Sequence, residues 1–330
     1  LFEMGLRTGR FTSPHLVKIN ERLSLDGEPV SDERLFTVWQ DIAPILEIVD
    51  AELLAAGDTK LTFFEALAVL GFAVFADAPV DVLVLEVGMG GEWDSTNVAD
   101  GDVAVFAPIS LDHMDRLGNT IEEIAQTKAG IIKSGAFVVS SAQPAEALAV
   151  LKDKASATAD AFKRYGADFE VLESTPDILG QKVSIRTLAG EYADLNLPVH
   201  GYYQAENAAL AIAAVEAFLG GGEQRIMDDV VRAAFADFSS PGRLQVVSRE
   251  PLVILDAAHN PGGAESLVQA LKTNFGSPYV VAVISILADK DARGLLEALD
   301  SSVVEVIITQ SSSARAIPAD KLAELAREVF

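Results

Sequence analysis

The sequence contains no cysteine, which excludes disulfide bonds and thiolate metal sites and makes the cytoplasm the expected compartment. It also lacks an apolar run of the roughly 18 residues that span a bilayer, and no signal-peptide pattern opens it. Basic residues are few, since 25 Lys and Arg stand against 49 Asp and Glu, for a net charge of −24. Such a charge repels nucleic acid and anionic membranes, so we expect neither as a partner.

What the sequence does have is strand-sized apolar runs separated by helical patterns, over a length of 330 residues that suffices for two domains. The segment FSSPGR at 238–243 is small, polar and rich in turn residues, so we predict domains at 1–237 and 238–330. Beyond this linker, strand and helix patterns alternate, which predicts an α/β fold with a parallel sheet. Before it, 182–188 and 193–199 read as two antiparallel strands.

Polar side chains follow the apolar runs between residues 80 and 133. Glu86 ends one run, His113 follows the next, and Lys128 lies on a helix that begins with the capping box Thr120-x-x-Glu123. Carboxylate and imidazole together suit a hard cation that bridges phosphates. Each residue alone also fits an ordinary role, as a loop or cap residue, a satisfied structural imidazole or a solvated lysine. No HExxH pattern occurs, which disfavours catalytic zinc.

A second group of polar residues follows the predicted linker. Asp256 ends a strand, where a carboxylate can bind a ribose hydroxyl, although Asp256 and Asn260 could equally cap the next helix. Arg243 could bind a phosphate in bidentate fashion or simply be an exposed linker residue. The 330 residues contain no Walker A motif and no complete GxGxxG spacing. The residues alone therefore indicate an anion-binding α/β enzyme with a hard metal ion.

Eight segments, in order along nearly the whole chain, resemble the folylpolyglutamate synthase/dihydrofolate synthase family of ATP-dependent Mur-type ligases. They are TSPHLVKINERLSLDGEPVSDE (12–33), LTFFEALAVLGF (61–72), LEVGMGGEWDSTNV (85–98), SLDHMDRLGNTIEEIAQTKAGIIKSG (110–135), HGYYQAENAALAIAA (200–214), SSPGRLQVV (239–247), LDAAHNPGG (255–263) and LADKD (287–291). A ligase of cell-wall precursors shares the architecture, but SPH, DHMDRLG and PGR match the folate enzymes better.

The resemblance implies a fold and a reaction. The fold is a central ATPase domain at 1–237, with a mostly parallel sheet flanked by helices and a small antiparallel sheet, and a smaller Rossmann-like C-terminal domain at 238–330. The reaction joins L-glutamate to the carboxyl group of folate or dihydropteroate through an acyl phosphate formed from ATP. Nothing in the sequence separates the two acceptors. These small molecules are the expected partners, and members are usually monomeric.

The resemblance also implies site residues. Two magnesium ions are held through Ser13, Glu86, His113 and Lys128, the last as a carbamate, which requires a neutral amine and hence a lowered pKa. The nucleotide contacts are Asn207, Arg243 and Asp256, on adenine, phosphate and ribose. His259 and Asn260 share a C-terminal-domain motif, and Lys290 and Asp291 match one without an assigned role. We expect Lys128, His113 and His259 to be catalytic, and His15, Thr62 and Asn260 to contact substrate.

Three departures from the family pattern bear on activity. The phosphate loop, a GTNGKGS-like segment, is expected about one helix before Leu1, and a last strand and helix after Phe330; neither lies in these residues. We therefore expect the chain as given not to turn over ATP, and a non-catalytic nucleotide- or folate-binding remnant is the alternative. Glu92-Trp93 stands where many members have an Arg-Leu-like pair.

Overall fold

The computed structural model describes residues 1–276 and 279–330. The chain divides into two compact units, each described here by itself: unit 1 comprises 1–139 with 143–162, and unit 2 comprises 140–142 with 163–330. The domain bounds at 1–237 and 238–330 stay a prediction. No helix among the described residues is long and apolar enough to cross a membrane.

The described residues form fourteen strands and ten α-helices. The strands are β1 (Thr8–Phe11), β2 (Leu23–Leu25), β3 (Glu28–Pro29), β4 (Val82–Leu85), β5 (Val103–Phe106), β6 (Phe137–Ser140), β7 (Ala161–Arg164), β8 (Glu170–Asp177), β9 (Gly180–Arg186), β10 (Glu191–Leu197), β11 (Gln245–Arg249), β12 (Leu252–Leu255), β13 (Val280–Ile284) and β14 (Val303–Ile308). The helices are α1 (Asp32–Ala56), α2 (Phe63–Asp77), α3 (Met114–Leu117), α4 (Ile121–Ala129), α5 (Ala145–Thr158), α6 (Tyr202–Gly220), α7 (Asp228–Ala236), α8 (Pro261–Phe275), α9 (Ala292–Asp300) and α10 (Ala319–Val329).

The first sheet of unit 1 has the order β3-β2-β1-β4. Strand β1 runs antiparallel to β2 and parallel to β4, so that Phe11 pairs with both Leu23 and Leu85. Phe11 and Leu23 are buried against α2, in a core that includes Val74. Because parallel strands end at the same edge of a sheet, this register brings the segment after β1 beside Glu86, which follows β4.

A second sheet, with the order β5-β6-β7, supports α4 and α5. Ile124 of α4 and Leu151 of α5 are fully buried in one core with Val138 of β6. The capping box predicted at the start of α4 is confirmed: Glu123 N donates to Thr120 Oγ1, and Thr120 N donates to Glu123 Oε2, each over 3.2 Å. The helix start is thereby fixed, and with it the direction of the last turn.

Unit 2 contains the small antiparallel sheet, of order β10-β9-β8, so that the two predicted strands are confirmed as β9 and β10. Glu216 of α6 is fully buried beneath the turn that joins them. Its carboxylate accepts hydrogen bonds from Thr187 Oγ1 (2.8 Å), Ala189 N (3.1 Å) and Tyr192 Oη (3.2 Å). Burial raises the pKa of Glu216, and the three donors partly offset this. The carboxylate ties the hairpin to α6.

The remainder of unit 2 departs from the predicted strand pairing at one place. Strands β13 and β14 are parallel, with Leu296 and Leu322 of α9 and α10 buried against them, as the alternating pattern predicts. The strand predicted at 251–256 is β12, which instead pairs with β11 in antiparallel fashion, and the prediction of a purely parallel sheet was wrong there. The reason is local, since only residues 250 and 251 separate β11 from β12, and so short a connection closes a hairpin.

Candidate active site

The ends of β1 and β4 join two of the predicted site residues. Glu86 Oε2 accepts a hydrogen bond from Ser13 N at 2.7 Å and another from the hydroxyl of Thr12. The carboxylate is exposed, and Oε1 has no hydrogen-bond partner among the described residues. One oxygen thus orders the loop after β1, while the other remains available to a cation.

Lys128 lies half-buried in the last turn of α4. Burial lowers the pKa of its ammonium group, and the nearby carboxylate of Asp112 opposes that shift. Asp112 Oδ1 in turn accepts a hydrogen bond from His113 N at 2.9 Å. His113 precedes α3 in the left-handed region, at φ 50°. The structure therefore places the Asp112–His113 turn within electrostatic range of Lys128.

Two glycines hold the loop after β4 against the end of α4. Glu92 N donates to Thr127 O over 2.9 Å. A Cβ atom on Gly91 would stand 2.9 Å from Lys128 O, and one on Gly130 would stand 2.5 Å from the Cα atom of Glu92. Neither position has room for a side chain, so the two segments are in direct backbone contact. We call this contact the glycine interlock; it connects the loop that follows Glu86 to the helical turn that carries Lys128.

Replacing Gly130 with alanine tests the interlock. We expect the free energy of unfolding to fall by about 1–3 kcal/mol, because the added methyl group must displace the backbone of Glu92. Urea denaturation measures the loss. Gly101→Ala is the matched control, since a Cβ atom there meets only Val103 O at 3.9 Å. If the two variants had the same free energy of unfolding, the loop would accommodate the added methyl group without a loss of stability.

His15 and Thr62, predicted to contact substrate, both have protein partners. His15 Nδ1 accepts a hydrogen bond from Arg22 Nε at 2.8 Å. Thr62 is the N-cap of α2, where its hydroxyl accepts from Glu65 N at 3.3 Å and donates to Glu65 Oε2 at 2.7 Å. The capping box accounts for the position of Thr62, so its contact with substrate stays a prediction. The guanidinium group of Arg22 also lies 5.4 Å from the ring centre of Phe63.

In unit 2, Asp256 orders the turn that carries Arg243. Its Oδ2 accepts from Leu244 N at 2.7 Å, and its Oδ1 accepts from Ala258 N at 2.8 Å. Leu244 has a φ of 48°, a strained conformation for a leucine, which the first of these bonds stabilises. Arg243 Nη1 donates to Ala257 O at 3.3 Å. Arg243 and Asp256 thus lie on two segments that are bonded together.

Tyr203 lies close enough to Arg243 and Asp256 for both charges to affect its pKa. Burial and, to a smaller extent, the carboxylate of Asp256 together raise the pKa of Tyr203 to about 12, against the opposing effect of Arg243. Asn207 is exposed one helical turn later on α6. Unit 2 thereby brings three predicted nucleotide contacts to one end of α6.

The remaining predicted residues of unit 2 lie at or next to the first residues of α8 and α9. Asn260 caps α8, with its Oδ1 accepting from Gly263 N at 2.8 Å, and Asp291 caps α9 in the same way through Gly294 N at 2.9 Å. His259 is exposed, and its Nδ1 lies 3.1 Å from Ala257 O. Asn260 therefore does cap a helix, as one of the two interpretations of this residue predicted. Lys290 lies just before α9 and has no assigned role.

Two residues next to the predicted ones were missed in the sequence: Arg22 and Tyr203. Each lies inside a segment that carries the family resemblance, Arg22 in 12–33 and Tyr203 in 200–214. An arginine directly before the apolar Leu23 was the available signal for Arg22, because a charged group beside a buried strand requires a partner.

Comparisons with known proteins identify the family of the chain. The Mur ligase middle domain family matches residues 37–215, and the Mur ligase, glutamate ligase domain family matches residues 242–329. The chain is 43% identical to the dihydrofolate synthase/folylpolyglutamate synthase of Mycobacterium tuberculosis over 334 residues, covering 98% of this chain and 69% of that protein.

Solved structures show the same similarity. The crystal structure of Mycobacterium tuberculosis folylpolyglutamate synthase complexed with ADP and AMPPCP superposes with a TM-score of 0.94 at 43% identity, over 99% of this chain and 74% of that one. Escherichia coli FolC in complex with DHPP and ADP gives a TM-score of 0.85 at 32% identity, over 98% and 73%. The predicted α/β fold class is confirmed. The chain belongs to the dihydrofolate synthase/folylpolyglutamate synthase family of Mur ligases, which are ATP-dependent enzymes that form C–N bonds.

Proposed function

We propose that this protein joins L-glutamate to the carboxyl group of a folate or of dihydropteroate, using ATP to activate that carboxyl group. The names of its relatives support the reaction class. The observation that carries the proposal is the glycine interlock, which holds the loop after Glu86 against the helical turn of Lys128, a half-buried lysine whose pKa is lowered. An amine of that kind beside a carboxylate loop suits a site that handles anions.

Magnesium is part of the proposal, at two positions served by Ser13, Glu86, His113 and Lys128. The donors fit a hard cation, since Glu86 Oε1 and the hydroxyl of Ser13 are oxygens on adjoining segments. Among residues 1–276 and 279–330, no group of three or more His, Cys, Asp or Glu side chains is arranged to hold a metal ion. A carboxylate formed on Lys128 would supply a further oxygen ligand. When bound, magnesium screens the charges of phosphate and carboxylate.

Carbamylation of Lys128 is the most direct chemical prediction. The neutral amine adds to CO2, a C–N bond forms, and one proton leaves to solvent, which yields a carbamate. The lowered pKa favours this step because it raises the neutral fraction. We expect a carbamate carbon signal in NMR spectra of the protein equilibrated with carbon-13 bicarbonate. The signal should vanish in Lys128→Met and persist in Lys152→Met, whose lysine is exposed on α5; its persistence in Lys128→Met would place the carbamate elsewhere.

The nucleotide-binding part of the proposal rests on unit 2. Arg243 is suited to bind phosphate, Asp256 to bind the ribose and Asn207 to bind the base. The side chains of Arg243 and Asp256 each bond to the backbone of the other's segment, which holds the two residues close together. His259 and Asn260 act next to the same strand end. We propose the domains 1–237 and 238–330, a monomer and a cytoplasmic location as the setting of this chemistry.

Incorporation of radiolabelled glutamate tests the function. The assay uses a protein that carries a phosphate loop in addition to residues 1–330, because these residues contain no Walker A motif. In that protein we expect incorporation that requires ATP together with dihydropteroate or tetrahydrofolate, and the ratio of the two rates assigns the preferred acceptor. Lys128→Met is the inactive comparison, and Lys152→Met controls for the loss of one positive charge. In that phosphate-loop-containing protein, incorporation that proceeds without ATP, or none with either acceptor, would contradict the proposal.

A further inference from the structure

We propose that Arg22 binds the carboxylate of the acceptor substrate through its two terminal guanidinium nitrogens. This inference rests on the proposed function, and it assigns the polar end of the substrate to one residue of unit 1. It would make Arg22 a substrate-positioning residue that lies beside the predicted metal ligands.

Burial of its charge is the first observation. Arg22 is only 9% exposed, although it stands at the start of β2. Burial lowers the pKa of its guanidinium group, because a buried cation loses solvation. Arginine remains protonated in proteins, so the charge stays and requires compensation.

The protein itself provides little compensation. Among the described residues, the guanidinium group of Arg22 forms no ion pair within 4.0 Å, and its one hydrogen bond goes to the neutral acceptor His15 Nδ1. Glu86 is the carboxylate that acts on it through space and raises its pKa. Both hydrogen bonds of Glu86 involve Oε2 and come from Thr12 and Ser13. The guanidinium group therefore has unmet capacity for an anion.

The orientation of that group is fixed on two sides. The bond from Nε to His15 Nδ1 is 2.8 Å long, and Cζ of Arg22 lies over the ring of Phe63, 5.4 Å from its centre. With Nε engaged, the two terminal nitrogens are left for a ligand. The described side-chain atoms that are buried without a hydrogen-bond partner all belong to other residues, so neither terminal nitrogen of Arg22 is among them. A bound ligand can therefore reach these nitrogens.

A planar fork of two N–H groups matches a carboxylate, which accepts two parallel hydrogen bonds. A phosphate oxygen pair of the nucleotide has the same chemistry. Thr12 N donates to Arg22 O over 2.9 Å, so Arg22 lies directly opposite the loop that Glu86 orders. That position favours the carboxyl group that is to be activated, because activation requires it near the proposed magnesium ligands.

The test compares dihydropteroate with its carboxamide, in binding measurements by titration calorimetry that do not depend on turnover. We expect the wild-type protein to prefer the carboxylate by about 10- to 100-fold, and Arg22→Gln to reduce the preference to about 1. Arg22→Lys keeps the charge without the fork and should retain a partial preference. Arg10→Gln is the matched control, since Arg10 is exposed on β1 and bonds to Ser24 Oγ.

The outcomes separate the possibilities. A full carboxylate preference in folded Arg22→Gln would overturn the proposal and leave Arg22 as a support for His15. A loss of ADP affinity in place of carboxylate preference would identify phosphate as the ligand and overturn it also. Should Arg22→Gln fail to fold, Arg22→Lys with both ligands decides between the same outcomes. A protein that prefers the carboxylate but ligates no glutamate would contradict the proposed function alone.

Discussion

Lys128→Met, in a protein that also carries a phosphate loop, should reduce ATP-dependent glutamate ligation by at least about 100-fold without lowering the free energy of unfolding. Activity falls because methionine cannot form the carbamate that would serve the proposed magnesium site. Stability holds because burial, which lowers the pKa of Lys128, disfavours its ammonium group, and methionine fills a similar volume with an apolar side chain. Initial-rate assays and urea denaturation at pH 7 measure the two effects on one preparation.

Lys152→Met separates this effect from a general change of charge. Lys152 is exposed on α5, and its replacement should leave both the rate and the unfolding midpoint close to wild type. If Lys128→Met lowered the free energy of unfolding together with the activity, Lys128 would be a structural residue. A fully active Lys128→Met protein would remove Lys128 from the site.

Glu216→Ala should lower the free energy of unfolding by about 3 kcal/mol or more, the largest stability effect that we expect in unit 2. Alanine removes the acceptor of three donors at once, from Thr187, Ala189 and Tyr192, in a place that solvent does not reach. Tyr192 Oη keeps one bond, to Ile226 O at 2.9 Å. Chemical denaturation of the purified variant measures the loss.

Glu216→Gln supplies the control and a pH dependence. Glutamine keeps an acceptor oxygen, so we expect a loss well below that of alanine. Burial raises the pKa of Glu216 above its ordinary 4.5. Between 4.5 and the raised value the folded protein keeps a proton that the unfolded chain has released, so wild-type stability falls as pH rises through that window. Glu216→Gln should lack this slope; parallel pH profiles would contradict the assignment.

Much of the fold follows from local patterns in the sequence. The capping box at Thr120 and Glu123 starts α4 where predicted, because it satisfies backbone groups that every helix leaves open. The antiparallel pair at 182–199 and the alternating elements after 251 are likewise confirmed in kind. Strand β11 was not predicted. It pairs with β12 through a short hairpin connection, and such a connection has no periodic pattern in the sequence.

The candidate site was only partly predictable for a related reason. Glu86, His113 and Lys128 follow recognisable strand and helix ends, so their neighbourhood can be inferred from topology. The partners of those residues come from distant segments. Arg22 bonds to His15 and lies over the ring of Phe63, and Asp256 bonds to Leu244, through contacts that only the folded chain defines. The sequence also gave no means of distinguishing a capping Asn260 from a ligand-binding one.

The glycine interlock has a consequence for motion. Gly91 and Gly130 leave no gap between the loop and the helix end, and Glu92 N is bonded across the contact to Thr127 O. Swinging the loop outward while α4 stays in place would break that bond and open the backbone contact, whereas moving the loop together with the last turn of that helix keeps both. We therefore expect displacement of the loop to be coupled to displacement of the turn that carries Lys128.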